Sequence, residues 1–361
     1  MKIQFSFSIF LLFIALSLFT ATNNFAQDSD KQRSFKDLIE DILKSGKSDI
    51  KQTASKKAAN KNVSKPDSTS RKVVSLTRTK HFYKFGVPEE KGIKLLEAML
   101  NNNGNLVQQL IVYNSDEAIE RKETYQYDEN GNKTEFILYN SDGNIERKEI
   151  FKYDDNNLVD YMIYNSDGDL EKKISYKYSG KLLTDEIAYK PNGNPLDKFV
   201  YSYNSGLLAN RIKYNDEGKL QEKTVFNYSN SSKLLNETNY DSDTSIIKKN
   251  TYSYDTNDNR IEQSELDSKG EVLNKQVYLY DSNNKLTQES RYKDGTAPLK
   301  RIVYSYNNLG LKSQMIEFDE DGKQIGKTNY TYDKTGREKT EVSINLLNEP
   351  EYELRYNYQF K

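Results

Sequence analysis

The chain of 361 residues contains no cysteine and no tryptophan, and its single histidine is His81. Without cysteine there can be no disulfide, thiolate nucleophile, cysteine-ligated zinc or lipid-modified N-terminal cysteine. One histidine and no cysteine cannot supply the usual nucleophile and base triads. The 53 Lys and Arg residues balance 54 Asp and Glu residues, a net charge of −1 that gives no overall attraction to nucleic acid. The composition favours a non-enzymatic protein, with no cofactor and no nucleic-acid partner expected.

Residues 1–26 have the pattern of a secretory signal peptide. Lys2 supplies a positive charge, Ile9–Phe19 an apolar stretch, and Asn24–Ala26 a small-residue cleavage site. The apolar stretch is shorter than the ~20 residues that a spanning helix needs, so a membrane anchor is the weaker alternative. No other stretch is apolar and long enough to form a transmembrane helix. We therefore expect an extracytoplasmic protein that is secreted, periplasmic or at the cell surface.

The next two segments differ sharply in composition. Residues 27–45 predict a short amphipathic helix, because the apolar residues after Ser34 recur at helical spacing. Residues 46–72 are rich in Lys, Ser, Ala and Asn and nearly lack apolar residues, which predicts a disordered basic linker. This linker would act either as a solvated tether or as a contact for an anionic partner.

Aromatic pairs of the form aromatic-x-aromatic recur every 25 or 26 residues through the rest of the chain. They are Tyr125/Tyr127, Phe151/Tyr153, Tyr176/Tyr178, Tyr201/Tyr203, Phe226/Tyr228, Tyr252/Tyr254, Tyr278/Tyr280, Tyr304/Tyr306, Tyr330/Tyr332 and Tyr356/Tyr358. Alternation with polar residues is the period of a β-strand, since every second side chain points to the same face. Each repeat therefore predicts strands rather than helix.

Single aromatic residues form a second register, 12 residues before the next pair. Six of its tyrosines are candidate ligand-stacking residues for sugars or bases: Tyr139, Tyr164, Tyr189, Tyr214, Tyr240 and Tyr292. The alternative for these six is core packing, which follows if the sheet coils with its aromatic face inside.

Turn sequences separate the strands. Asn140-Ser-Asp-Gly-Asn144 and similar segments begin with Asn or Asp and place Gly where φ is positive, which suits a type I turn followed by a glycine bulge. The predicted fold is all-β, an elongated, coiled, solenoid-like sheet of tandem antiparallel hairpins of about 25–26 residues, preceded by the short helix and the linker. Residues 73–113 keep the spacing with Ala98 and Leu100 in place of an aromatic pair, so we expect an atypical N-terminal cap before the array at 114–361.

The segments Tyr125–Asn132 and Tyr330–Arg337 resemble the YD repeat of RHS-type bacterial proteins, in their Tyr-Asp, turn, Gly and polar or Arg positions. The resemblance covers roughly residues 94–361, with weaker similarity to MORN-type hairpin repeats. It departs from the family pattern where Ser179 and Asn204, among others, replace the Asp. The resemblance implies a secreted or surface protein whose repeats build a β-shell.

The leading functional hypothesis is a non-catalytic secreted or cell-envelope protein that presents an extended β surface to a polysaccharide or protein partner. One alternative is an outer-membrane β-barrel, suggested by alternating strands of about ten residues. That alternative requires an apolar lipid-facing band, which Glu135, Asp160, Asp185 and Asn210 interrupt. A second alternative is a carbohydrate-active enzyme, which would need two close carboxylates in a groove.

Overall fold

In the computed structural model, residues 72–361 are described, and they form an all-β domain. The expected signal peptide at 1–26, the helix at 27–45 and the linker at 46–72, apart from Lys72, lie outside the described residues. Residues 72–361 contain no helix that is long and apolar enough to cross a membrane.

The strands follow one another along the chain with short turns between them. They are β1 (Val73–Lys84), β2 (Val87–Pro88), β3 (Ile93–Leu100), β4 (Val107–Tyr113), β5 (Ile119–Tyr127), β6 (Lys133–Tyr139), β7 (Ile145–Asp154), β8 (Asn157–Tyr164), β9 (Leu170–Ser179), β10 (Leu182–Tyr189), β11 (Pro195–Asn204), β12 (Leu207–Asn215), β13 (Leu220–Tyr228), β14 (Leu234–Tyr240), β15 (Ile246–Tyr254), β16 (Arg260–Leu266), β17 (Val272–Tyr280), β18 (Leu286–Lys293), β19 (Ala297–Tyr306), β20 (Lys312–Phe318), β21 (Gln324–Tyr332), β22 (Glu338–Ile344) and β23 (Pro350–Phe360).

The first and last strands pair with each other and close the sheet. From β3 to β23 each strand is antiparallel to the next, β1 pairs with β3, and β1 also pairs with β23 from Val73↔Phe360 to Phe82↔Tyr352. The short β2 pairs only with the end of β1. The domain is therefore a closed antiparallel barrel of 22 strands.

Closure corrects the predicted fold. The expected elongated solenoid-like sheet is wrong, and so is the assignment to YD-repeat/RHS or MORN-type arrays, because the periodic residues form consecutive strands of one closed barrel. The antiparallel hairpins agree with the expectation. Residues 73–113, expected as a cap, form β1–β4 of the same sheet.

Each hairpin of consecutive strands from β3 to β23 contains a one-residue bulge beside its turn. At the turn after β6, the N–H of Asn140 donates to the carbonyl oxygen of Asn144 at 3.0 Å, and Gly143 N–H donates to the carbonyl oxygen of Asn140 at 3.1 Å. Gly143 has a φ of 81°, which glycine adopts without strain. The pairing register then shifts between Leu138 and Tyr139. The hydrogen bonds at Asn140 and Gly143 are those of a type I turn with a glycine bulge, and the register shift beside it leaves Glu146 as a separate extra residue on β7.

A side-chain oxygen at the first turn position stabilises this geometry. The Oδ1 atom of Asn140 accepts hydrogen bonds from the backbone N–H groups of Asp142 and Asn144, both at 3.0 Å. In the turn after β5, Asp128 takes this position. The hydrogen bond from the Asn132 side chain, together with backbone N–H groups, holds the pKa of Asp128 below its ordinary value.

The buried apolar side chains lie mostly on one face of the sheet. Leu76 and Leu110 are 0 % exposed, Ile174 is 2 % exposed and Tyr176 is 4 % exposed. Cross-strand pairing places Tyr125 opposite Phe136 on this same face. Side chains converge on the inside of a closed barrel and diverge on the outside, so we assign this more buried face to the interior. A barrel of this strand number is too wide for side chains to fill its lumen.

Barrel closure can be tested by disulfide formation, because the chain has no cysteine of its own. Thr77 and Asn357 are directly opposite on β1 and β23, and facing residues of an antiparallel pair lie within disulfide reach. We expect the variant Thr77→Cys/Asn357→Cys to form an intramolecular disulfide in air. Alkylation followed by mass spectrometry counts the free thiols.

The matched control is Thr77→Cys/Asn227→Cys, because Asn227 is on the distant strand β13. It should keep two free thiols. Two reactive thiols in the Thr77/Asn357 variant would contradict closure.

Candidate functional site

The second tyrosine of nearly every aromatic pair ties its strand to the strand before it. Its hydroxyl donates to a backbone carbonyl oxygen 20 residues earlier, as in Tyr127 to Val107 (2.8 Å) and Tyr203 to Leu183 (2.9 Å). The same bond is made by Tyr153, Tyr178, Tyr254, Tyr280, Tyr306, Tyr332 and Tyr358. These tyrosines therefore stabilise the barrel wall from inside.

The first tyrosine of several pairs hydrogen-bonds a glutamate on the preceding strand. Tyr201 donates to Glu186 at 3.1 Å, and Tyr304 donates to Glu289 at 3.0 Å. Tyr252 with Glu237 and Tyr356 with Glu341 repeat the arrangement. The inner face thus combines aromatic rings with carboxylates and is polar, as the lumen face of a wide barrel should be.

The six candidate stacking tyrosines lie on the opposite, outer face. Each is directly opposite a lysine on the neighbouring strand: Lys122↔Tyr139, Lys148↔Tyr164, Lys173↔Tyr189, Lys198↔Tyr214, Lys223↔Tyr240 and Lys275↔Tyr292. Leu266, Phe318 and Ile344 continue the row opposite Lys249, Arg301 and Lys327. We call this row of alternating cations and aromatic or aliphatic residues the outer belt.

The outer belt follows the barrel next to one set of turns, because each of its aromatic residues is the last or next-to-last residue of a strand. The tyrosines are half-buried, and a lysine ammonium lies over the Tyr139 ring, with Lys122 Nζ 5.1 Å from the ring centroid. Arg301 lies 4.0 Å from the centroid of Phe318. The belt therefore places cations against aromatic rings on the outer face.

Sequence reasoning missed the acidic partners of the belt lysines. Lys148 pairs with Glu135 at 2.7 Å, and Lys173 pairs with Asp160 at 3.1 Å. Lys198 with Asp185 (2.8 Å) and Lys275 with Glu262 (2.7 Å) repeat the contact. In every case the carboxylate precedes the lysine by 13 residues. That fixed interval was the available signal.

His81 has a packing role. Its Nδ1 atom lies 2.8 Å from the carbonyl oxygen of Glu89, and its Nε2 atom lies 2.8 Å from Thr79 Oγ1. Since a carbonyl oxygen only accepts, Nδ1 carries the proton and Nε2 accepts from the hydroxyl. The imidazole is buried against Gly92, where an added Cβ would lie 2.4 Å from Nε2.

No group of three or more histidines or carboxylates in residues 72–361 is placed to hold a metal ion. A shallow cleft of about 270 Å³ is lined by residues 91–93 and 115–117. Its two carboxylates, Asp116 and Glu117, are adjacent in one exposed turn. The cleft does not present two carboxylates facing each other across a groove, the arrangement that a glycosidase requires.

No protein-family model matches the chain. No curated protein matches it either. Solved structures with some similarity include a porin-like protein from Bacteroides uniformis, with 10% identity, 80% of this chain and 98% of that chain covered, and a TM-score of 0.30. A porin-like protein from Bacteroides vulgatus is 10% identical, with 80% of this chain and 99% of that chain covered and a TM-score of 0.23. The TcdB2–TccC3 structure is 10% identical, with 75% of this chain and 21% of that chain covered and a TM-score of 0.24. At these TM-scores the similarities carry no argument, and the fold rests on the strand pairing.

Removing a wall-spanning tyrosine hydroxyl should lower stability. We expect Tyr203→Phe to lose its bond to the Leu183 carbonyl and to cost about 0.5–1.5 kcal/mol, measured as a lower urea midpoint. The control is Tyr214→Phe on the outer belt, whose hydroxyl has no such bond among the described contacts. Equal midpoints for the two variants would contradict the assigned role.

The packing of His81 against Gly92 predicts a non-additive pair of substitutions. Gly92→Ala should cost about 1–3 kcal/mol, because its methyl group would overlap the imidazole. In a His81→Ala background the overlap is gone, so the same substitution should cost much less. Thermal unfolding of the four proteins measures the coupling, and additive losses would show that the two residues do not contact each other.

Proposed function

We propose that this chain is an outer-membrane β-barrel protein of the cell envelope. The observation that carries the proposal is closure of 22 antiparallel strands through the β1–β23 pairing. In a bilayer every backbone N–H and C=O group must be satisfied within the protein, and a closed barrel achieves this without an edge. Closure agrees with this alternative better than with an extended, open binding surface.

The polar inner face also supports the proposal. Tyr–Glu hydrogen bonds such as Tyr201 to Glu186, and ion pairs such as Arg121 with Glu123 (3.1 Å), lie on that face. A wide barrel with a polar lining encloses water. We infer a non-catalytic role in which the lumen is the functional compartment.

The outer face would contact lipid in an outer-membrane barrel, so its charged residues limit where the membrane can lie. It carries aliphatic residues such as Ile137 and Val200 between lysine–carboxylate pairs such as Lys148 with Glu135. A lysine that faces lipid at the bilayer midplane costs about 2–4 kcal/mol. The paired lysines therefore belong near the membrane–water interface, and the depth of insertion is the property to measure.

The test is extraction of the full chain from bacterial envelopes. We expect it to remain in the outer-membrane fraction after washes with urea and with alkaline carbonate, and to be released by detergent. Leu354→Pro should lose this retention, because proline in the middle of β23 breaks the ladders to β1 and β22. Leu354→Ile is the matched control and should stay in the membrane. Release of the wild-type chain by urea would overturn the proposal.

A further inference from the structure

Amide side chains cluster on the inner face of four consecutive strands, β14–β17. Gln263 is paired with the inner-face residue Tyr252 on one side and with Gln276 on the other. Adjacent strands are about 4.8 Å apart, so the cluster is roughly 14 Å wide across the strands. We call it the amide patch, and its members are Asn239, Asn250, Gln263, Asn274 and Gln276.

The amide patch is a local feature of the lumen wall. Away from the turns, the paired inner positions of the other described strands carry no amide. The residues at the position of Gln263 are Leu110, Phe136, Tyr161, Glu186, Arg211, Glu237, Glu289, Met315 and Glu341, and those at the position of Gln276 include Glu149, Ile174, Thr224, Ile302 and Thr328. A polar lining alone does not require that amides be confined to four strands.

The amide patch keeps unused hydrogen-bonding capacity. The Nδ2 atom of Asn250 donates to Glu237 at 2.7 Å, and the Nδ2 atom of Asn274 donates to Glu265 at 3.3 Å. Within residues 72–361 the side chain of Gln263 makes no hydrogen bond. In the same part of the chain the buried Oδ1 atom of Asn239 has no donor. Since buried polar groups are normally hydrogen-bonded, these two amides are free to bind a polar ligand.

The charges around the amide patch compensate each other. Lys248 pairs with Glu265 at 3.2 Å. The guanidinium of Arg260 lies 5.9 Å from the ring centroid of Tyr252, and Tyr252 donates to Glu237 at 3.1 Å. The cations and carboxylates are thus balanced, which favours an uncharged ligand.

The chemistry of the amide patch also narrows the kind of uncharged ligand. Each amide presents donors and an acceptor side by side, which matches groups that both donate and accept, such as the hydroxyl groups of a sugar. The patch contains no aliphatic side chain, whereas a peptide ligand needs apolar pockets for its side chains. The aliphatic part of the inner face lies elsewhere, as at Leu110 on β4 and Ile174 on β9.

We propose that the amide patch binds a neutral oligosaccharide inside the lumen. Gln263, Gln276 and Asn239 donate to and accept from its hydroxyl groups. The inference rests on the function proposed above, because it names the class of solute that the lumen holds. The acidic turns at the end of the barrel, such as those at 241–243 and 319–321, do not repel a ligand without charge.

The test is calorimetric titration of the full chain with maltohexaose, cellohexaose and mannohexaose, in a detergent without a sugar headgroup. We expect at least one of them to bind, and Gln263→Ala/Gln276→Ala to weaken binding by about tenfold or more, because two amides that hydrogen-bond the ligand are lost. The matched control is Met315→Ala/Thr328→Ala, at the same positions two repeats later. It should change the affinity by less than about threefold.

No binding of any of the three sugars would overturn the proposal, and so would equal losses in the two variants. Equally tight binding of hexagalacturonate or of an uncharged Gly-Ser peptide would also overturn it, because the patch would then not select a neutral sugar. Binding is measured on purified protein, so its failure is distinct from release of the chain by urea in the envelope extraction.

Carboxylate footprinting of the wild-type protein keeps the test independent of variant folding. Glu265 lies beside the amide patch and pairs with Lys248, and Glu317 occupies the same position two repeats later and pairs with Lys300 at 2.6 Å. The sugar that binds should slow modification of Glu265 by a carbodiimide and an amine, and it should leave the rate at Glu317 unchanged. Equal rates at Glu265 with and without the sugar would contradict binding at the patch.

Discussion

Pairing of β1 with β23 is the interaction on which the rest of the structure depends. An open sheet leaves a row of unpaired N–H and C=O groups along each edge, and those edges invite association with other chains. Here the register runs from Val73↔Phe360 to Phe82↔Tyr352, and the N–H of Lys361 donates to the carbonyl oxygen of Lys72 at 3.0 Å. Closure removes both edges and gives the sheet an inside and an outside. The two faces can then differ in function.

The turns determine which side chains lie on which face. Beside the turn Tyr139 is paired with Ile145, and the next pair is Leu138 with Arg147. Glu146 is therefore the extra residue of the bulge. Without that extra residue the register would differ by one, and a shift of one residue moves every side chain of a strand to the other face. The bulge therefore places the single tyrosines outside and the aromatic pairs inside.

Much of the fold could be predicted from the sequence, because strand period and turn chemistry are local signals. The pairs at 25- or 26-residue spacing and the Asn140–Asn144 type of turn correspond to the observed hairpins. Closure could not be predicted, because it joins residues 270 or more apart and depends on strand number and curvature. The division of the aromatic residues between two faces was missed for a different reason. It depends on a one-residue bulge, and residue spacing alone does not show on which face of the sheet each register lies.

The two aromatic registers consequently have different physical roles. Inside, hydroxyls such as that of Tyr203 satisfy backbone carbonyl groups and link neighbouring strands. Outside, Tyr139 and its equivalents lie beside lysines on the neighbouring strand. The candidate stacking residues named from the sequence lie on this outer face, and their stacking role stays a prediction. The pairing of these lysines with carboxylates was missed, although the 13-residue interval between them is present in the sequence.

Hydrogen exchange of the terminal strands tests the closed barrel most directly. If β1 and β23 are paired, amides in residues 76–82 and 352–358 exchange as slowly as those in β12, because both neighbours protect each strand. An open sheet would leave alternate amides of both terminal strands free, and those amides would exchange rapidly while β12 stayed protected. Slow exchange at both ends is the result that the barrel predicts, and rapid exchange confined to the two ends would contradict it.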